Sequence, residues 1–211
     1  MNGEYGAASI RNTTENSTEV FVQLKTQQTL ILETYKSKVE TPSFRYYTQA
    51  GTEEPLTGKW KISFESGGPV LPAQVETDSL PSWTTFGIQG YLEFSGTASY
   101  SITFPKPQQA AAGWLLELGV VRESAEIFLN DKLFGTLIGP VYQLYVDDSV
   151  LRENNKLEVK VSNLMANRIS DMDRRKIVWR KFYNVNFPAR KTDNRMNGLF
   201  DASNWKPRDS G

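Results

Sequence analysis

Three pairs of neighbouring acids, Glu123 with Glu126, Asp147 with Asp148 and Asp171 with Asp173, have the residue types for acid and base chemistry. Two carboxyl groups can break a glycosidic bond when they stand about 5 to 5.5 Å apart in a retaining mechanism, or about 6.5 to 9.5 Å in an inverting one. Close acids in turns and on strand edges are usually just solvated. No residue is therefore assigned a catalytic role, and a free-standing carboxylate-based glycosidase is kept only as a minor alternative. The 211 residues include no His and no Cys. That removes the Ser-His-Asp triad, the Cys-His pair, His-ligated metals, thiolate metal sites and disulfides, leaving carboxylate chemistry or hard-cation binding.

A second chemistry is legible in the aromatic and planar polar residues. Sugar recognition uses flat rings against the C–H face of a pyranose, and amides, carboxylates or guanidinium groups against paired hydroxyls. On expected loops the candidates for carbohydrate or interface contact are Trp83, Tyr142, Asn163, Asn167, Arg168, Asp171, Asp173, Trp179, Arg180 and Tyr183, with Trp205 beside them. Packing is the expected fate of Trp60 and Trp114, while for Trp83 and Trp179 packing and ligand contact both stay open. Asn163 and Asn167 also fit a role in capping the chain after the last strand.

The elements that must position these residues are strands. Between Ser124 and Leu129 the residues Ala125, Ile127 and Leu129 alternate with polar or outward neighbours, a two-residue period. Asn130-Asp131-Lys132 then supplies residues that tolerate the positive φ of a tight hairpin, and the return strand is Leu133 to Ile138. A second pair is expected from Tyr142, Leu144 and Val146, a polar turn at Glu153-Asn154-Asn155, and Leu157, Val159 and Val161. Upstream, Lys59 to Phe64, Tyr91 to Phe94 and Thr97 to Phe104 read as strands, with a bulge or bend at Ser95-Gly96. Trp114 to Val121 is nearly all apolar and reads as a central strand covered on both sides. Val20 to Leu24 and Leu30 to Tyr35 read as a hairpin about Lys25-Thr26-Gln27-Gln28, Pro42 to Gly58 as a linker, and Asp171 to Lys181 as the one helix. Eight to ten antiparallel strands at this spacing predict an all-β sandwich or jelly roll with a short helix or loop near the C-terminus.

Several stretches resemble the sugar-binding domain of glycoside hydrolase family 2, which has a galactose-binding-like jelly-roll fold: the Glu123-Ser124-Ala125-Glu126 strand with its Asn130 turn, and the Asn155 to Asn163 strand. Others are similar to the C-terminal β-sandwich of bacterial α-L-rhamnosidases of family 106, namely Leu56 to Trp60, Ser82 to Thr84, Phe94 to Tyr100, Asn163 to Ile169 and Trp205 to Gly211. Asp131 departs from the family's usual turn glycine. The resemblance implies a sandwich domain over 55–211, preceded by an arm and hairpin over 1–54 that close an earlier β-domain or dock on the sandwich. It also implies that the catalytic acids sit on a separate barrel. The expected partners are then a carbohydrate, such as a rhamnose-containing plant glycan, and the parent enzyme's catalytic domain. No cofactor is expected, and a structural calcium, which such folds often hold, finds no calcium-loop spacing here. A purely structural module without sugar affinity is the main alternative.

Lys plus Arg number 24 and Asp plus Glu 24, so no overall field draws the chain to nucleic acid or to an anionic membrane. From Arg168 to Gly211, however, eleven cations face five acids. Basic and aromatic residues interleave there, a pattern that can bind single-stranded nucleic acid, but the resemblance assigns this segment to the surface facing a catalytic domain or its substrate. No apolar run approaches the roughly 20 residues of a membrane span, and the first residues lack signal-peptide character. The resemblance nevertheless implies a periplasmic or extracellular parent enzyme, and reads the Arg208-Asp209-Ser210-Gly211 ending as an interrupted block.

Overall fold

The computed structural model describes residues 5–13, 17–87, 90–179 and 201–211. Its centre is a six-stranded antiparallel sheet built from β3 (Trp60–Gly68), β4 (Val75–Thr77), β5 (Ser95–Pro105), β7 (Ser124–Leu129), β8 (Lys132–Ile138) and β10 (Asn154–Ser162), in the order β4-β3-β5-β10-β7-β8. Alternation along these strands becomes rows across the sheet. Ile62 stands beside Tyr100, Tyr100 beside Val159, and Val159 beside Ile127; the next row runs Phe64, Ala98, Val161, Ala125, Leu137. All of these side chains are buried in one cluster. A second, two-stranded sheet of β6 (Gly113–Glu117) and β9 (Gln143–Asp147) lays Leu116 and Leu144 against that cluster. The result is an all-β antiparallel sandwich with one short α-helix, α1 (Ala166–Arg174).

The expected hairpin at 124–138 forms, with Asn130 and Asp131 at φ 53° and 66°, the left-handed pair a two-residue turn demands. The expected second hairpin does not form. Residues 143–147 pair with β6 in one sheet, whereas 154–162 pair with β5 and β7 in the other. Between them Asp147 caps a 3-10 turn, Asp148–Val150, which carries the chain from one layer to the other. Alternation marks which face of a strand is buried and leaves its neighbour open, so both pairings satisfied the sequence equally.

Other expectations are corrected in the same way. The apolar run from Trp114 yields a strand of only five residues in the two-stranded layer, half-exposed rather than doubly covered. Tyr91 to Phe94 is a turn whose two end rings are buried, and β5 starts at Ser95 instead. The chain does turn at Lys25 to Gln28, where the Gln28 N–H donates to the Lys25 carbonyl at 3.1 Å, but no strands flank it. The paired strands of this arm are β1 (Ile10–Asn12) and β2 (Thr18–Val20). The arm reaches the smaller sheet through Lys25 Nζ, 2.8 Å from Glu117 Oε1, and through Arg45, whose guanidinium lies 4.2 Å from the centre of the Tyr145 ring. Among the described residues no helix is long and apolar enough to cross a membrane.

The expected irregularity at Ser95-Gly96 is found where β3 and β5 come closest. The pairing slips between Phe64 and Ser66, after which Gly67 faces Gly96. A Cβ on Gly96 would lie 2.0 Å from the Ser66 carbonyl oxygen, and Gly96 sits at φ 158°. Substitution of Gly96 by Ala is therefore expected to destabilise the fold by more than about 1 kcal/mol, read as a lower urea midpoint with unchanged slope.

Candidate functional site

The 3-10 turn within the β4–β5 connection shows how the sequence-predicted residues are used. Ser82 caps the 3-10 turn Trp83–Phe86 by accepting from the Thr84 N–H, and Gly87 ends it in a left-handed conformation at φ 68°. This turn drives Trp83 inward, where the ring packs edge-on against Phe64 and Phe94 at 5.5 and 5.7 Å between centres. Its relative exposure is 0%. Trp83 is thus a core residue and offers no face to a sugar. Tyr142 is also buried, and its hydroxyl donates to the Glu123 carbonyl, which corrects its reading as a loop platform.

Asn163 follows β10 and closes the end of the sheet. Its Oδ1 accepts from the Gly96 N–H at 2.9 Å, and its Nδ2 donates to the Phe94 carbonyl and to Ser210 Oγ, both at 3.1 Å. Asn167, the second residue of α1, makes a reciprocal pair with the Arg208 backbone: Nδ2 to the carbonyl at 2.7 Å, and Oδ1 from the N–H at 2.8 Å. The same last segment is held from the other side. The Ser210 N–H donates to Ser82 Oγ at 2.8 Å, its carbonyl accepts from the Trp83 N–H at 2.9 Å, and the Gly211 carbonyl accepts from the Arg122 N–H at 3.1 Å. Gly211 lies against Tyr100 and Trp83; a Cβ there would come 2.3 Å from the Tyr100 hydroxyl. Burial pushes the Tyr100 phenol well above its ordinary range. The site is accordingly a clamp of backbone-reading groups closed on residues 208–211 of the chain itself.

The helix start explains why sequence periodicity misplaced α1. Its buried positions are Asn167, Ser170 and Asp171, spaced as one helical face but polar, because that face binds backbone rather than a core. Asp171 accepts from Arg175 Nη1 at 3.4 Å. Asp173 gathers two distant points: Trp179 Nε1 donates to Oδ1 at 2.7 Å and the Ala202 N–H to Oδ2 at 2.8 Å. Arg168 turns its guanidinium toward Gly68 and forms no ion pair among the described residues. Arg180 and Tyr183 lie outside the described residues. The structure thus brings Asn163, Asn167, Asp171, Asp173 and Trp179 to one end of the sandwich and leaves Tyr142 elsewhere. Sequence reasoning missed Ser82 and the Arg122 N–H as members of the clamp. The capping position of Ser82 before Trp83 was a readable signal for a turn, though not for what its hydroxyl would hold. Removing both Asn167 contacts with Asn167→Ala should cost about 1 to 3 kcal/mol and speed hydrogen exchange at the Arg208 amide, while the β10 amides keep their protection.

Like Asp171 and Asp173, the acids of the Asp147 and Asp148 pair are occupied by the chain. Asp147 accepts from the Ser149 N–H and hydroxyl, and Asp148 from Lys106 Nζ at 2.7 Å and Trp114 Nε1 at 3.1 Å. Glu123 and Glu126 are exposed, and Glu126 lies on the outward face of β7. An open cleft of about 590 Å³ between Leu24–Thr26 and Val141–Gln143 has one carboxylate, Glu117, held by Lys25 and Gln143. Among the described residues no three acidic side chains converge on a metal-sized site. Lys106, first, and then Trp114 hold the Asp148 carboxyl below its ordinary range. A depressed folded pKa stabilises the fold above the unfolded value, and this contribution is lost as pH falls through the folded one. Lowering the pH below about 4 should therefore shrink the stability gap between the parent chain and Asp148→Asn, measured by urea unfolding across that range.

No family model matches the chain. It is 40% identical over 117 residues to a protein of Formosa agariphila described as "Putative beta-glucuronidase", an alignment that takes in 54% of this chain and 10% of that one. The fold matches a rhamnosidase from Novosphingobium sp. PP1Y with a TM-score of 0.57 at 24% identity, over 80% of this chain and 15% of the enzyme. A Bifidobacterium dentium β-glucuronidase aligns over 51% of the chain with a TM-score of 0.42 at 22% identity. The chain spans only about a tenth of the curated relative it matches. Over 117 residues it is thus similar to a protein described as a glycoside hydrolase, and its fold is like that of part of a rhamnosidase.

Proposed function

We propose that the chain is a non-catalytic β-sandwich module of an exported, family 106-type glycoside hydrolase, with a jelly-roll arrangement, that brackets a catalytic barrel and contributes contacts to its glycan. The observation that carries the reading is the use made of the acids. Asp147, Asp148, Asp171 and Asp173 each hold groups of the chain itself, and the described cleft contains a single carboxylate, whereas glycoside hydrolysis needs an opposed pair. The 40% identity over a segment amounting to a tenth of a far longer protein supports a module rather than a whole enzyme. A second reading, a module of purely structural use, is favoured by one specific finding: Trp83, Tyr142, Asn163 and Asn167 spend their binding capacity inside the domain.

The purified 211-residue chain is expected to leave aryl β-glucuronides and aryl α-L-rhamnosides intact, while pectin fragments or rhamnose-containing oligosaccharides at millimolar concentration shift amide resonances near α1 and residues 201–208. Sustained hydrolysis would overturn the module reading. Absence of any shift would leave the structural module in its place.

A further inference from the structure

The outward face of the smaller sheet is roofed at one end by the arm. Glu117 and Gln143 stand opposite each other in the β6–β9 pairing. Because Leu116 and Leu144 pack against the core, alternation turns this pair, and the Leu115–Tyr145 pair before it, to the other side. Over that face the arm is held at two points: the Arg45 guanidinium lies over the Tyr145 ring, and Lys25 Nζ donates to Glu117 Oε1 at 2.8 Å. The two points are tied together within the arm, since the Gln23 amide accepts from the Tyr47 N–H and donates to its carbonyl, both at 2.8 Å. The turn that carries Lys25 is itself closed twice. The Gln28 N–H donates to the Lys25 carbonyl at 3.1 Å, and the Lys25 N–H donates to Gln28 Oε1 at 2.9 Å. Between this turn and the β8–β9 connection runs the cleft of about 590 Å³, inside the range of about 300 to 1,000 Å³ usual for small-molecule sites. The dimple beside α1, by contrast, is too shallow to hold a water molecule.

The lining has the chemistry of a polyol site. A carboxylate and a carboxamide stand side by side on adjacent strands, their Cβ atoms about 4.5 to 5.5 Å apart as in any directly opposed pair, with an ammonium group against them. Lys25 and Gln143 both donate to Glu117 Oε1. Glu117 Oε2 and the Gln143 carbonyl oxygen have no partner among the described residues, and the remaining Lys25 protons are donors, so the set can both accept from and donate to neighbouring hydroxyls. Polar groups open to solvent are ordinary when they stand singly. Here three of them converge on one concave space, and each holds another in place. Leu24, Pro140 and Val141 add apolar lining for the C–H groups of a ring. Gly119, at φ 69°, has open space where a Cβ would stand, so a ligand can come up to the backbone there. The charges of Lys25 and Glu117 cancel, which gives an anion no surplus cation to meet, and an apolar ligand would desolvate the ion pair without replacing its water. A neutral pyranose meets both halves of the lining at once.

We propose that the cleft between the Lys25 turn and β9 binds a neutral pyranose residue of a glycan, with Glu117 and Gln143 reading its hydroxyls and Lys25 orienting Glu117, a proposal that rests on the reading of the chain as a module of a carbohydrate-degrading enzyme. Chemical-shift titration of the full chain with methyl α-L-rhamnoside and methyl β-D-galactoside, and with D-galacturonate as the charged comparison, tests it. Saturable shifts of the Gly119 amide and of the Gln143 side-chain amide are expected at millimolar concentrations of a neutral glycoside, with D-galacturonate binding more weakly. Glu117→Ala and Gln143→Ala should each weaken that binding about tenfold. Gln143→Ala keeps the Lys25–Glu117 contact and so separates loss of a ligand contact from release of the arm, while an unchanged urea midpoint separates both from loss of fold. No saturable shift with either neutral glycoside, unchanged affinity in Glu117→Ala and Gln143→Ala, or tighter binding of D-galacturonate would each overturn the site. Shifts confined to α1 and residues 201–208 that ignore Glu117→Ala would remove the cleft site and leave the module reading standing. Hydrolysis of aryl glycosides by the chain would remove the module reading whether or not the cleft binds.

Discussion

The side-chain amide of Asn163 is the contact on which the functional end of the molecule depends. Placed one residue beyond a nine-residue strand, it reaches Phe94, Gly96 and Ser210 at once and so joins the end of β10, the entry to β5 and the last described segment. A half-buried amide of this kind is costly when only partly satisfied. Here both its donor and its acceptor are used, and that satisfaction requires residues more than forty positions apart to arrive together. β10 sets the position of Asn163 because it is hydrogen-bonded on both edges, to β5 over its whole length and to β7 from Leu157 to Ser162. The apolar rows beneath it leave no freedom to slip, since a one-residue shift would turn Leu157, Val159 and Val161 outward.

From that fixed point the helix and the clamp follow in order. β10 delivers the chain to α1, which turns a polar face inward, and that face reads the backbone of Arg208. Because backbone groups are being read, the clamp constrains the path of the segment more than the side chains it carries. Asp173 adds a second fixed point by binding Trp179 and Ala202. Three orphaned polar atoms, Trp83 Nε1, Tyr100 Oη and Ser170 Oγ, lie around this same end of the molecule, and no comparable group is left unsatisfied on the described remainder of the sandwich.

The legible part of the fold was the part governed by period. Ala125, Ile127 and Leu129, or Leu157, Val159 and Val161, declare a buried face by alternation alone, and Asn130-Asp131 declares its turn through the φ that those residues tolerate. What stayed hidden was partner choice. Tyr142 to Val146 alternates as well as any strand, yet it pairs with Gly113 to Glu117 because a capped turn at Asp147 diverts the chain. The helix was hidden for the opposite reason: its buried residues are Asn, Ser and Asp, which a search for apolar spacing passes over. At the site, residue types singled out Asn163, Asn167 and Asp173 for their hydrogen-bonding groups, and the structure uses those groups within the chain. That the thing bound is the backbone of residues 202–211 could not be read, because local sequence carries no record of a segment that returns from far along the chain.

Aromatic residues illustrate the same limit from the chemical side. Trp83 and Trp205 both sit in loops next to serines, prolines or basic residues, and both satisfied the requirement for a flat ring near hydrogen-bonding groups. Their fates differ because Ser82 starts a 3-10 turn that points the first indole at Phe64 and Phe94, whereas the second lies on a segment already anchored through its backbone. The second ring is 39% exposed and has the Arg208 guanidinium 5.6 Å from its centre. A buried indole contributes through the area it removes from water, and only the turn geometry at Ser82, which no residue type in the loop announces, decides that the first ring is the one that does so.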